Sequence, residues 1–229
     1  MSPETALFPY VTVDKIHDGS PHTGSETLIV AGGEQERHTW EPFNREHDGR
    51  YTTTRNLYKN TLGNKLCFEE INFGLELVFR YTWMTCEPYG FVRDCELSNT
   101  SSLPAKLTVI DGLQNLQPAD VPRRLQLTSS NLVDAYKWAE LDPDTGLAMF
   151  TLYSGITDKP EPQEVLHANT CFCLGDREKR VLLSEEQLES FDNGRFSGDE
   201  VVSRGVRGAY LNLMSFGLAP GATERWMTV

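Results

Sequence analysis

Between residues 75 and 83 the chain alternates. Leu75, Leu77, Phe79, Tyr81 and Trp83 share one parity, while Glu76, Arg80 and Thr82 fall on the other. A period of two is that of a strand with one face on a core. A segment at 66–73 precedes it across Asn72-Phe73-Gly74, a Gly-containing link that suits a hairpin. The alternation returns at 89–97, with Tyr89, Phe91, Cys95 and Leu97 on one face and Arg93 among them. It returns again at 105–113, with Ala105, Leu107, Val109 and Leu113 on one face and Asp111 among them. Asn99, Ser101, Ser102 and Pro104 supply the turn between them. These strands predict an antiparallel meander packed on one side.

Residues 147–153 are apolar on both parities, the pattern of a central strand covered twice. Residues 165–174 set Leu166, Ala168, Phe172 and Leu174 on an inward face, and strands at 206–216 and 223–229 complete the set. Helical spacing appears twice. Leu132, Ala135, Tyr136 and Ala139 predict a helix over 131–141 around Trp138, and Ser184 with Gln187 forms a capping box opening a helix over 184–191. Residues 1–50 read as loop-rich, with turn signals at Asp18-Gly19, Gly32-Gly33 and Asp48-Gly49. Many strands, dense turn signals and two short helices predict an all-β, two-sheet antiparallel sandwich forming a single domain over 1–229.

A chain of 229 residues buries enough surface to need no metal or disulfide staple. Its net charge of −12 repels phosphate backbones and anionic lipid, so neither nucleic acid nor a membrane surface is an expected partner. The five cysteines have no CxxC and no regular framework, which suits reduced thiols packed as small hydrophobes. The start lacks a basic region followed by an apolar one, and no apolar run is long enough to span a bilayer, so a cytoplasmic setting is expected.

No nucleophile elbow, phosphate-cradling loop or dinucleotide fingerprint is present. His167 is the histidine that lies beyond the first 50 residues, on a strand face shared with Cys171 and Cys173. Alternate residues of a strand stand about 6.6–7 Å apart, too far to converge on a zinc ion at about 2.0–2.3 Å, so these read as packing residues. His38 and His47 sit in a loop without metal-ligand spacing. Neither metal nor cofactor is expected. Arg93 and Asp111 interrupt apolar faces, and burying either charge alone is costly. They are expected to pair with each other or with hydrogen-bonding neighbours, or to anchor a polar cleft. Trp83 and Trp226 read as core. Trp40 and Trp138 have polar neighbours and are candidates for stacking on a sugar ring, against the ordinary reading of packing.

Residues 89–118 carry Leu97-Ser-Asn-Thr100 and Ile110-Asp-Gly-Leu-Gln-Asn115, and the chain closes on Phe216-Gly-Leu-Ala-Pro-Gly-Ala-Thr-Glu-Arg-Trp-Met-Thr-Val229. Together these resemble the N-terminal β-supersandwich, of galactose mutarotase-like fold, of inverting glycoside phosphorylases of the cellobiose phosphorylase type. The resemblance covers most of residues 50–229, and its motifs are structural. It implies a non-catalytic sandwich truncated from a larger enzyme, glycosyltransferase-like or hydrolase-like, that acts on oligosaccharides. The catalytic acid and phosphate-binding groups of such enzymes lie in a downstream helical barrel, so no catalytic residue is carried over here. The implied partners are that barrel, a second copy in a homodimer, and an oligosaccharide. The 114–124 loop, with Gln114 and Asn115, and the segment around Trp138 become candidates for completing a substrate cleft. Two alternatives stand beside this reading. One is a free-standing carbohydrate-binding module. The other is a mutarotase-type enzyme, which needs a histidine and a carboxylate to converge.

Overall fold

The structure, a computed structural model, describes residues 6–9, 19–33, 36–45, 48–157, 160–161, 163–186, 188, 191, 198 and 200–229. In chain order the strands begin with β1 (Gly24–Gly33), β2 (Glu36–Trp40), β3 (Thr53–Lys59), β4 (Lys65–Asn72), β5 (Leu77–Cys86), β6 (Gly90–Asn99) and β7 (Ala105–Leu116). Two short helices follow, α1 (Arg123–Thr128) and α2 (Ser130–Tyr136). The chain then forms β8 (Lys137–Asp142), β9 (Leu147–Leu152), β10 (Asn169–Cys171), β11 (Cys173–Leu174) and β12 (Arg180–Leu182). It ends with β13 (Val202–Arg204), β14 (Gly208–Leu218) and β15 (Thr223–Thr228). These form a five-stranded sheet β12-β14-β7-β1-β2, a four-stranded sheet β10-β9-β8-β13 and a six-stranded sheet β11-β15-β6-β5-β4-β3. The fold is all-β and built of antiparallel sheets, as the alternation predicts, with three sheets among the described residues where two are expected.

The chain divides into two compact units. The first holds Met1–Glu26, Asp111–Phe172 and Arg180–Asn212, and the second holds Thr27–Ile110, Cys173–Lys179 and Leu213–Val229.

In the second unit the odd residues of β5 do face a core, with Leu77 and Phe79 buried there. Phe79 stacks on Trp226 of β15, their centroids 6.2 Å apart. Removing each such ring from water is worth roughly 1.5–3 kcal/mol. Two buried hydrogen bonds tie this sheet to strands of the facing one: Trp40 Nε1 donates to Glu70 Oε1 at 2.8 Å, and Arg93 Nη2 donates to Thr27 Oγ1 at 3.1 Å. The Asn72-Phe73-Gly74 link is a hairpin, in which Asn72 Oδ1 accepts the Gly74 and Leu75 N–H groups.

Two expectations change in this unit. The three-strand meander does not form, because β6 pairs with β5 and β15 while β7 lies between β14 and β1. Asn99 turns the chain at that point: its Nδ2 donates to the Leu103 and Leu218 carbonyls and its Oδ1 accepts from the Ser101 N–H and hydroxyl. Residues 1–50 are not loop-rich throughout. They supply β1, whose Leu28, Ile29 and Val30 are buried, and β2, which includes His38. His47 and Asp18 lie outside the described residues.

In the first unit the helix expected over 131–141 stops at Tyr136. Lys137 is extended, and Lys137, Ala139 and Leu141 face inward along β8. Trp138 therefore stands on a strand. β9 is central, as expected, but buries one face only: Ala148, Phe150 and Leu152 are buried and the residues between are half-buried. The inward face expected over 165–174 is reversed, since Cys171 and Cys173 are buried while Leu166 and Leu174 are exposed. Gln187 of the expected capping box lies outside the described residues, and the Ser184 hydroxyl instead lies 3.1 Å from the Glu200 carboxylate. Val121, Val133 and Leu152 form a small core against Leu125, Tyr136, Ile156 and Val165.

Candidate functional site

Three groupings in the first unit bear on function. The first gathers around Asn115, at the end of β7. Asn115 holds a left-handed φ of 54°, which Asn tolerates better than most residues. Its Nδ2 donates to Thr23 Oγ1 at 2.9 Å, and its Oδ1 accepts from the buried Lys137 Nζ at 3.5 Å. Lys137 also pairs with Asp134 at 2.8 Å. Gln114 donates to the Pro21 carbonyl and to Glu26. Burial pushes the Glu185 carboxyl up, against the pull of Arg207, His22, the Asn115 backbone N–H and Lys137. This network ties β7 to the N-terminal turn. Gln114 and Asn115 spend their side-chain hydrogen bonds within it.

The second grouping is a platform on the outward face of β8 and β9. Trp138 lies opposite Thr151 of β9 and Arg204 of β13. Its ring is parallel to that of Tyr153, with 5° between planes and centroids 5.8 Å apart, and the Arg204 guanidinium lies 3.8 Å from its centroid. Tyr153 is 73% exposed, so a flat aromatic face is open to solvent.

The third is a cleft of about 350 Å³. Its walls are Leu152, Ile156, Val165, Leu166 and Pro122, and Asp120, Gln163, Glu164 and His167 bring polar groups to it. Asp120 has a left-handed φ of 59°. His167 Nδ1 contacts Asp120 Oδ2. A carboxylate only accepts, so in a hydrogen bond with it Nδ1 is the donor. The strand reading of His167 is thus corrected: it lies outside any strand, two residues before β10 begins at Asn169. The sequence signal is the pair Pro160 and Pro162 just upstream, which disfavours a ladder strand. The His-and-carboxylate pair that an acid–base enzyme needs is therefore present. It sits on a rim, however, with His167 74% and Asp120 56% exposed, where water screens the charges that a reaction centre must concentrate.

Of the six residues expected at a site, four lie inside. Trp40 and Gln114 are 2% exposed, and Arg93 and Asp111 are fully buried. Arg93 bonds Thr27 and lies 4.6 Å from the Tyr81 centroid, and the Asp111 carbonyl accepts from Asn212. Asn115 is largely buried, and Trp138 alone of the six reaches the surface with a ring. The five cysteines are free thiols. Among the described residues no cluster is placed to hold a metal ion, and no helix is long and apolar enough to cross a membrane.

Fold and geometry define the class as an all-β protein of packed antiparallel sheets. No protein-family model matches the chain, and no curated protein matches it. Solved structures that it is similar to include a heparinase III, at 10% identity and a TM-score of 0.32, over 77% of this chain and 20% of that one. The chain thus spans a fifth of the length of that structure.

Proposed function

We propose that this chain is a non-catalytic sandwich domain of a carbohydrate-active protein, glycoside phosphorylase-like, and that the Trp138–Tyr153 platform contacts an oligosaccharide. Packing on a helical catalytic domain and dimerisation belong to the same reading. The observation that carries it is the exposed Tyr153 ring set parallel to Trp138, because the apolar face of a pyranose stacks on such a ring. Arg204 at the ring and Thr151 beside it can donate hydrogen bonds to hydroxyl groups. Support for the parent class comes from the residues of the resemblance. Asn99, Gly112, Asn115 and Trp226 each hold a turn, a close approach or a core contact, as structural motifs do.

The test is calorimetric titration with a panel of β-linked glucose oligosaccharides. Tyr153→Ala is expected to weaken binding about fivefold or more, in line with about 1 kcal/mol for one aromatic contact. Trp40→Phe, which alters a buried ring, is expected to leave the affinity unchanged. If the unmodified chain binds no oligosaccharide in the panel, the platform reading fails.

A further inference from the structure

The cleft beside β9 is a separate feature, and its chemistry differs from that of the platform. Leu152, Ile156, Val165, Leu166 and Pro122 give it an aliphatic lining. Two carboxylates, Asp120 and Glu164, stand at it with Gln163 and His167. Among the described residues that line it there is no lysine, no arginine and no phenylalanine, tyrosine or tryptophan. The described lining thus offers a pyranose no phenyl, phenol or indole face to stack on, and apart from His167 its ionisable side chains are carboxyls. What the lining complements is an aliphatic body that ends in a positive charge.

The cleft is also built rather than incidental. Gly155 N donates to the Gln163 carbonyl at 2.7 Å, closing the neck of the loop between them. A side chain at Gly155 would meet the Gln163 Cβ and Cγ at 2.9 Å, so the Gln163 stem is packed directly over that glycine. The His167–Asp120 contact fastens the far end of the same segment. Leu152 and Val165 belong to the small core beneath, which fixes the floor.

From this geometry we infer that the cleft binds a small organic cation, a protonated amine on an aliphatic body, with Glu164 and Asp120 facing the charge and Leu152, Ile156 and Val165 facing the chain. The inference does not rest on the oligosaccharide reading. Either can fail without the other.

The experiment is a methyl-region NMR titration of the full chain with n-hexylamine, and in parallel with 1-hexanol, hexanoate and glucose. The amine is expected to shift the methyl signals of Leu152, Ile156, Val165 and Leu166 in a saturable way. Hexanol should bind about five- to tenfold more weakly, as one partly solvated charge contact implies, and hexanoate not at all. Glu164→Gln should remove most of the preference for amine over alcohol while the remaining spectrum stays in place. Asp120→Asn serves as the second variant, because Asn accepts the left-handed backbone that Asp120 holds. Hexanol binding as well as the amine, hexanoate binding better, or no saturable shift at these methyls would each overturn the inference. So would glucose moving the same signals, which would assign the cleft to sugar.

Discussion

Gly112 shows how a motif letter becomes geometry. A Cβ built there would lie 1.9 Å from the Tyr210 carbonyl oxygen and 2.9 Å from the Leu211 Cα, both backbone atoms of the neighbouring β14. The strands approach closely, and only hydrogen fits. Gly217, further along β14, has nothing within 4 Å of its own Cβ position. Gly112→Ala is therefore expected to cost about 2–4 kcal/mol by denaturant unfolding, since backbone must move. Gly217→Ala should be neutral or slightly stabilising through the unfolded chain. Equal effects at the two glycines would show that the close approach is not what holds Gly112. In the sequence, Ile110-Asp-Gly-Leu-Gln-Asn115 was legible as a signature, but not as one glycine at a crossing and one left-handed asparagine. A chain pattern carries no information on which strand will lie alongside. The same gap hid Asp120, whose positive φ has no marker in its neighbours.

At the scale of elements, alternation found β4 to β7 and missed β1, β2 and the partners of β7. It gave β4 to β6 nearly to their ends, because hairpins keep sequence neighbours adjacent. It placed β7 in the wrong sheet, because the β6–β7 turn carries the chain across rather than back. It read β8 as helix because Ala135, Tyr136 and Ala139 fit a helical spacing until Lys137 turns extended. The outer face of the six-stranded sheet depends wholly on register. Arg225 lies opposite Glu96, Glu96 opposite Arg80, Arg80 opposite Glu69 and Glu69 opposite Asn56, a rung across five strands. Burial raises the Glu69 carboxyl, but hydrogen bonds from Asn56, Arg80 and Tyr58 outweigh it, and the net shift is downward. A carboxyl depressed on folding adds stability above its ordinary value of 4.5 and loses it as pH falls through the folded value. Glu69→Gln should thus melt well below the parent near neutral pH, with the difference shrinking in acid. A gap that stayed constant into acid would mean that the rung acts by packing, not by charge.

The whole molecule adds a term that no single contact supplies. Thirty-three carboxylates against 21 lysines and arginines leave −12, a surplus that was fully legible in the sequence. The two units were not legible, because their boundaries at 26/27, 110/111 and 212/213 fall inside β1, β7 and β14 and leave no linker to read. Salt acts on this charge in two opposed ways. It weakens the pairs whose arginines stand in solvent, such as Arg225 with Asp94 and Arg177 with Glu224. It also screens the repulsion among the uncompensated carboxylates, whose reach shrinks from about 30 Å at 0.01 M to about 8 Å at 0.15 M. The pairs are short-ranged and already partly screened by water, whereas the surplus acts over the width of the chain. Repulsion should dominate, so the melting temperature is expected to rise when sodium chloride is increased over that range. A fall would mean that the cross-strand ion pairs, rather than the net charge, set the electrostatic part of this fold's stability.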